Sequence, residues 1–139
     1  MTVSGTRALG VLVGAVVVGF MASLLGCASL GPVTPVAVSD LRSVAGTWQG
    51  VVYKSNSQPD YIDLTIREDG SYEVVSRHTI GTSNGKGRIV VSDGHLLFQG
   101  EKGHGVGTLL RNRAGDRLME IEATLSDNST LSATLSLGR

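Results

Sequence analysis

From Gly46 onward, apolar and polar side chains alternate with a period of two, and this most constrains how the chain can fold. Ile62, Leu64 and Ile66 alternate with Asp63, Thr65 and Arg67, and Tyr72 and Val74 with Glu73 and Val75. Met119, Ile121, Ala123 and Leu125 alternate with Glu120, Glu122 and Thr124, and Leu131, Ala133, Leu135 and Leu137 with Ser132, Thr134 and Ser136. Successive strand side chains point to opposite faces, so this pattern makes strands with one apolar face. Eight strands are predicted, at about 46–54, 60–67, 71–78, 86–92, 95–99, 104–112, 116–125 and 129–137. Asp69-Gly70 and Asp93-Gly94 supply the positive φ that tight hairpins require. Asn112 to Asp116 and Ser126 to Ser129 are further turns, and Gly81 to Gly85 is a longer loop. Connections this short have no room for crossover helices, so neighbouring strands pair antiparallel as a meander. The fold class is all-β. Eight such strands close most simply into a small up-and-down barrel, which removes exposed edges; an open or split meander is the alternative.

The inward set expected from this pattern is Trp48, Val52, Ile62, Leu64, Ile66, Tyr72, Val74, Ile89, Val91, Leu96, Phe98, Val106, Leu110, Met119, Ile121, Leu131, Leu135 and Leu137. An eight-stranded barrel is either filled by its own side chains or holds one small ligand. With short strands and few aromatics, a filled core with at most a shallow apolar mouth is expected. Candidate lining residues for an apolar ligand are Ile62, Leu64, Tyr72, Leu96, Phe98 and Met119. A charged ligand would need partners that this interior lacks.

The N-terminal end is of a different kind. Arg7 is followed by an uncharged, Val-, Leu-, Ala- and Gly-rich run from Ala8 to Gly26. Its length suits either a spanning helix or a secretory signal, and its exit decides between them. Leu24-Leu25-Gly26-Cys27 resembles the lipobox of bacterial lipoproteins, cleaved before a cysteine that carries a diacylglyceryl thioether. The resemblance implies a signal peptide over 1–26, lipidation of Cys27 with palmitate-type acyl chains, and permanent membrane attachment, since two hydrophobic signals anchor stably. Ala28 after that cysteine implies sorting to the outer membrane of the cell envelope. Residues 27–39 are then the lipidated cysteine and a linker, stiffened by Pro32 and Pro35, and 40–139 the domain. Ser39 or Asp40 is expected to cap a short helical turn that Gly46 ends.

Cutting the first 26 of 139 residues leaves 113, one domain's worth. The 12 basic and 12 acidic residues lose Arg7, and a near-neutral chain without a basic run offers no footprint for nucleic acid. Cys27 is the single cysteine, so no disulfide framework is available.

Ala45-Gly46-Thr47-Trp48-Gln49-Gly50, opening the first predicted strand, resembles the Gly-x-Trp signature of lipocalins and their calycin relatives. The resemblance implies that Gly46 and Trp48 form a structural signature, with Trp48 plugging the closed end of a barrel. Arg111 and Arg139 are the candidates to cap that ring as the family's arginine does. The chain has no counterpart of the second lipocalin motif, Thr-Asp-Tyr, and no C-terminal helix. The same opening is similar to bacterial inhibitors of secreted metalloproteases, which use an N-terminal trunk comparable to 28–45, although they usually carry a disulfide.

Candidate chemistry is sparse. His78, His95 and His104 fall in different predicted strands without a paired spacing, and solvated strand ends explain them better than a metal. Gly103-His104-Gly105-Val106-Gly107 runs on into strand instead of opening a helix, so its glycines bend a strand rather than cradle phosphate. Gly81 to Lys86 misses the phosphate-loop spacing. Asp60 with Asp63, and Glu120 with Glu122, read as solvated outer-face carboxylates. No nucleophile–base pair stands out, and nothing calls for a cofactor. The expectation is a membrane-tethered binding module for a small apolar ligand or lipid. The alternative is a module for an envelope protein or protease, acting through loops or the N-terminal segment, and an enzyme ranks last.

Overall fold

The computed structural model describes residues 31–77 and 82–138. The apolar run, the Leu24–Cys27 lipobox, His78 and Arg139 lie outside the described residues. The elements are β1 (Val33–Val36), a 3-10 turn (Leu41–Ser43), β2 (Gly46–Lys54), β3 (Asp60–Ile66), β4 (Ser71–Arg77), β5 (Thr82–Ser92), β6 (His95–Gly100), β7 (Gly103–Asn112), β8 (Arg117–Leu125) and β9 (Thr130–Leu137). Each of β2 to β8 pairs antiparallel with its successor. β9 returns to β2, from Trp48↔Leu137 to Lys54↔Leu131, and closes the barrel. The meander follows from its hairpins. Asp93 and Gly94 both have positive φ, 49° and 79°, as a two-residue primed turn demands. Among the described residues no helix is long and apolar enough to cross a membrane.

Three features differ from the sequence pattern. Four residues of the segment read as a linker are a strand: Val33↔Asn112 to Val36↔Leu109 pairs β1 with the part of β7 that overhangs β6. Val38 is buried and its N–H donates to the Gly94 carbonyl at 2.8 Å. Burial of Val38 and packing of Val36 against the core offset the cost of ordering this segment. Pro35 is tolerated because β1 pairs on one side only.

Second, β5 begins at Thr82, so four of the five residues of the predicted 81–85 loop are strand. Third, β7 presents the opposite face from that expected. Leu96↔Gly107 and Leu109↔Met119 put Gly103, Gly105, Gly107 and Leu109 inward, while Val106 and Leu110 take the outward parity. Val106 is 43% exposed, and Leu110 is buried outside the core cluster. Glycine adds nothing to a hydrophobic pattern, so the valine and leucine on the other face dominated it.

The core lies towards one end. Val38, Val44, Trp48, Leu64, Ile66, Leu96, Leu109, Met119 and Leu135 are almost wholly withdrawn from solvent there. The 3-10 turn sits under it, with Asp40 accepting from the Arg42 N–H at 3.0 Å as the expected N-cap. The Trp48 Nε1–H donates to the Val44 carbonyl at 2.8 Å, which leaves no buried indole donor unpaired.

Candidate functional site

The opposite end of the barrel is open. There the β2–β3, β6–β7 and β8–β9 connections flank a mouth leading into a cavity of about 410 Å³. Its inner wall carries Val52, Ile62, Leu64, Val74, Phe98 and Ile121, with Leu125 and Leu131 nearer the rim. The mouth carries Lys54, Asp60, Ser76, Lys86, Lys102 and His104.

The cavity exists because small residues stand where a filled barrel would need large ones. Gly85, Gly100, Gly103, Gly105, Ala123 and Ala133 all line it. At Gly100, Gly103 and Gly105 a Cβ would meet a neighbouring atom closer than 3.0 Å. Gly103 has φ +154°, and a Cβ there would come within 2.3 Å of the Thr124 carbonyl oxygen across the β7–β8 ladder. Only glycine allows that approach. The expected filled core is therefore confined to the closed end.

Tyr72 crosses this wall. Its ring meets Phe98 edge-on at 5.2 Å between centroids. Its hydroxyl lies against Gly100, where a Cβ would come within 2.3 Å of it. Burial pushes the Tyr72 phenol pKa above its ordinary value, so the hydroxyl is a protonated donor at neutral pH.

Of the six expected lining residues, Ile62, Leu64, Tyr72 and Phe98 meet on the cavity wall. Leu96 and Met119 do not; both are fully buried in the packed end. Asp60 is not an outer-face carboxylate. It shares the inward parity of Ile62 and Leu64 and lies at the mouth. Asp63 does face outward, in an ion pair with Arg77 at 2.6 Å. Glu120 and Glu122 are exposed. His95 Nδ1 meets Thr108 Oγ1 at 3.2 Å on the outer surface. No three His, Cys, Asp or Glu side chains gather among the described residues.

At the closed end the structure supplies a residue that sequence reading missed. Arg117 lies over the Trp48 ring with Cζ 5.9 Å from the centroid, and Nη1 donates to the Ser43 carbonyl. The arginine over the tryptophan is Arg117 and not the expected Arg111, while Arg139 lies outside the described residues. Arg117 opens β8, which is brought to Trp48 only when β9 pairs with β2, so no local pattern could have marked it.

A second hollow of about 680 Å³ lies on the outer surface among Tyr53, Val106, Glu122 and Ser132. It is shallow and largely open to water, so it would bury less of a ligand than the barrel interior.

The solved structure of a redesigned beta barrel is similar to this chain, at 19% identity and a TM-score of 0.49, covering 71% of this chain and 95% of that one. No family model matches the chain, and no curated protein does. The architecture described above rests on strand register and not on that likeness.

Proposed function

We propose that this protein is a membrane-tethered bacterial lipoprotein, anchored through Cys27, whose lipocalin-like barrel takes up a small apolar ligand at its open end. The cavity of about 410 Å³ carries this reading: its inner wall is apolar and its mouth polar. Ligand sites are mostly apolar concavities of roughly 300–1,000 Å³ with a few polar groups. The Gly46-Thr47-Trp48 opening, the capped 3-10 turn and Arg117 over the indole support the lipocalin-like assignment. The function is binding, not catalysis.

Strand direction adds an orientation. β7 runs from the mouth towards the closed end and β1 runs against it, so the chain reaches Val33 from beyond the closed end. Five residues separate Cys27 from Val33, and the six steps between them reach at most about 20 Å. An anchored barrel would therefore keep its closed end near the bilayer and turn its mouth away.

Native mass spectrometry of the full chain purified from its own host tests the binding reading: a retained small apolar molecule is expected. Ala123→Phe, which fills the cavity, should abolish retention while the protein still melts cooperatively. Undiminished retention by that variant would count against the cavity. Globomycin should make an uncleaved precursor accumulate, and normal processing would count against the anchor.

The exposed tyrosines Tyr53 and Tyr61 (56% and 69% exposed), on the outer face near the mouth, favour the second reading, recognition of an envelope protein. A co-purifying protein in place of a small molecule would support it.

A further inference from the structure

Four strands of the outer wall place one row of side chains just below the mouth. The register runs Tyr53↔Ser132, Ser132↔Glu122 and Glu122↔Val106, across β2, β9, β8 and β7. The next row towards the rim is His104, Thr124 and Thr130. Short side chains, Ser132, Thr124 and Thr130, hold the middle. The taller Tyr53 and Val106 stand on either side, three strand spacings or roughly 14 Å apart. This difference in height makes the shallow outer hollow of about 680 Å³.

The polar groups here differ from those on the β3–β4 wall. There Asp63 meets Arg77 at 2.6 Å and Glu73 meets Arg67 at 3.3 Å, so the carboxylates are already paired. Around the hollow, the Glu122 carboxylate and the hydroxyls of Tyr53, Thr124, Thr130 and Ser132 have no partner among the described residues. Glu120, two residues along β8 on the same face, has none there either. Lys54 at the edge of the hollow lies 3.7 Å from Asp127. With those two charges cancelling, Glu120 and Glu122 leave the surface acidic.

We infer that this hollow is a separate binding site for a neutral glycan chain, with Tyr53 stacked on a pyranose ring and Glu122, Ser132 and Thr130 holding its hydroxyls. A pyranose has an apolar face of C–H groups and a rim of hydroxyls, and much of it stays hydrated when bound. An exposed tyrosine covers the apolar face with a rigid, amphipathic ring. A carboxylate accepts two hydroxyls at once, and charge-assisted bonds of this kind are the stronger ones. A shallow, wet hollow then suffices, because bridging waters complete the remaining bonds. Two other guests suit it less. Protein interfaces keep glutamate and serine out of their centres, where this row has Glu122 and Ser132. An anionic glycan would meet Glu120 and Glu122 with no cation to balance them. The site lies outside the barrel and stands independently of the cavity reading.

The test uses the full chain in phospholipid nanodiscs, with isotope-labelled Ile, Val and Thr methyl groups observed by NMR. Cellohexaose, chitohexaose and hexagalacturonate are titrated separately. Val106 and Thr130 report the hollow, and Ile62 and Ile121 report the barrel interior. One or both neutral hexamers should shift Val106 and Thr130 saturably and leave Ile62 and Ile121 in place. Hexagalacturonate should bind about tenfold more weakly, and the gap should narrow as salt screens Glu120 and Glu122. Tyr53→Thr keeps a β-branched residue in the strand and removes the ring. It should weaken the neutral hexamer about tenfold and leave the unfolding midpoint unchanged. Glu122→Gln keeps the shape, should weaken the neutral hexamer about threefold and should bring hexagalacturonate closer to it. Absence of shifts at Val106 and Thr130 with both neutral hexamers, tightest binding of hexagalacturonate, or undiminished binding by Tyr53→Thr would overturn the proposal. Shifts confined to Ile62 and Ile121 would place the sugar inside the barrel and overturn it too. If neither neutral hexamer shifts Val106 while a co-purifying protein is lost on Tyr53→Thr, the face belongs to a protein and the glycan site falls.

Discussion

The two ends of this barrel are built from the same eight strands and differ in what their inward positions carry. At the closed end, Trp48, Ile66, Leu96, Leu109, Met119 and Leu135 fill the section, with Val44 and the 3-10 turn beneath. At the open end the equivalent positions on the same strands hold Gly103, Gly105, Ala123 and Ala133, and the section stays hollow. Stability and binding are thereby separated along one axis. A dense core fixes the register of every strand at one end, and that fixed register holds a cavity open at the other.

The largest expected effect tests whether the closed end carries the stability. Trp48→Ala removes the largest fully buried side chain and should cost about 3–5 kcal/mol in denaturant unfolding. A cost below about 1 kcal/mol would mean that the closed end is not the stabilising half. A matched pair sharpens the contrast. Leu96→Ala, at 0% exposure, should cost about 2–5 kcal/mol. Leu131→Ala, which faces the cavity, opens no new sealed void and should cost about 1–2 kcal/mol, close to the transfer term alone. Equal losses would indicate that the open end is packed in solution.

Arg117→Met keeps length and loses both the cation over Trp48 and the donor to Ser43. It should cost about 1–2 kcal/mol, seen as a lowered unfolding midpoint with an unchanged slope.

The smallest effect concerns two matching turns at opposite ends. Asp69 and Asp127 each accept the hydroxyl and the N–H of the serine two residues on, Ser71 and Ser129. The serine hydroxyl first, and then its backbone N–H, hold both carboxyls below the ordinary 3.8. A depressed folded-state pKa contributes stability above the unfolded value and loses it as pH falls through the folded one. Asp69→Asn and Asp127→Asn should therefore each flatten the acid side of the stability profile slightly, below about pH 4. Both groups are fully exposed, so similar small changes are expected at the two ends. A large difference would show that one end opens first in acid.

Strand legibility followed side-chain size. Where inward residues are large, as in Met119–Ile121 or Ile62–Leu64–Ile66, alternation marked both the strand and its face. Where they are glycine, as in β7, it marked the strand but the wrong face, and Val106 and Leu110 were misplaced. β1 was hidden for another reason. Its four residues include a proline, and its pairing partner is the overhanging end of a strand some seventy positions away. Of the candidate site, four lining residues were legible from apolarity and parity. The hollow was not, because small inward residues carry no signal of what stands opposite them. Asp60 was misread because it was grouped with Asp63, whose odd spacing puts it on the other face.

The amino-acid order by itself determined the strands, their hairpin turns and an antiparallel course, because pleat parity and turn chemistry are set by residues a few positions apart. Tertiary structure alone decided which end is solid, that Arg117 covers Trp48, that residues 33–36 complete the sheet, and that Tyr53 shares an outer row with Ser132 and Glu122. Each of these depends on closing β9 against β2, which brings together residues that no local interaction relates.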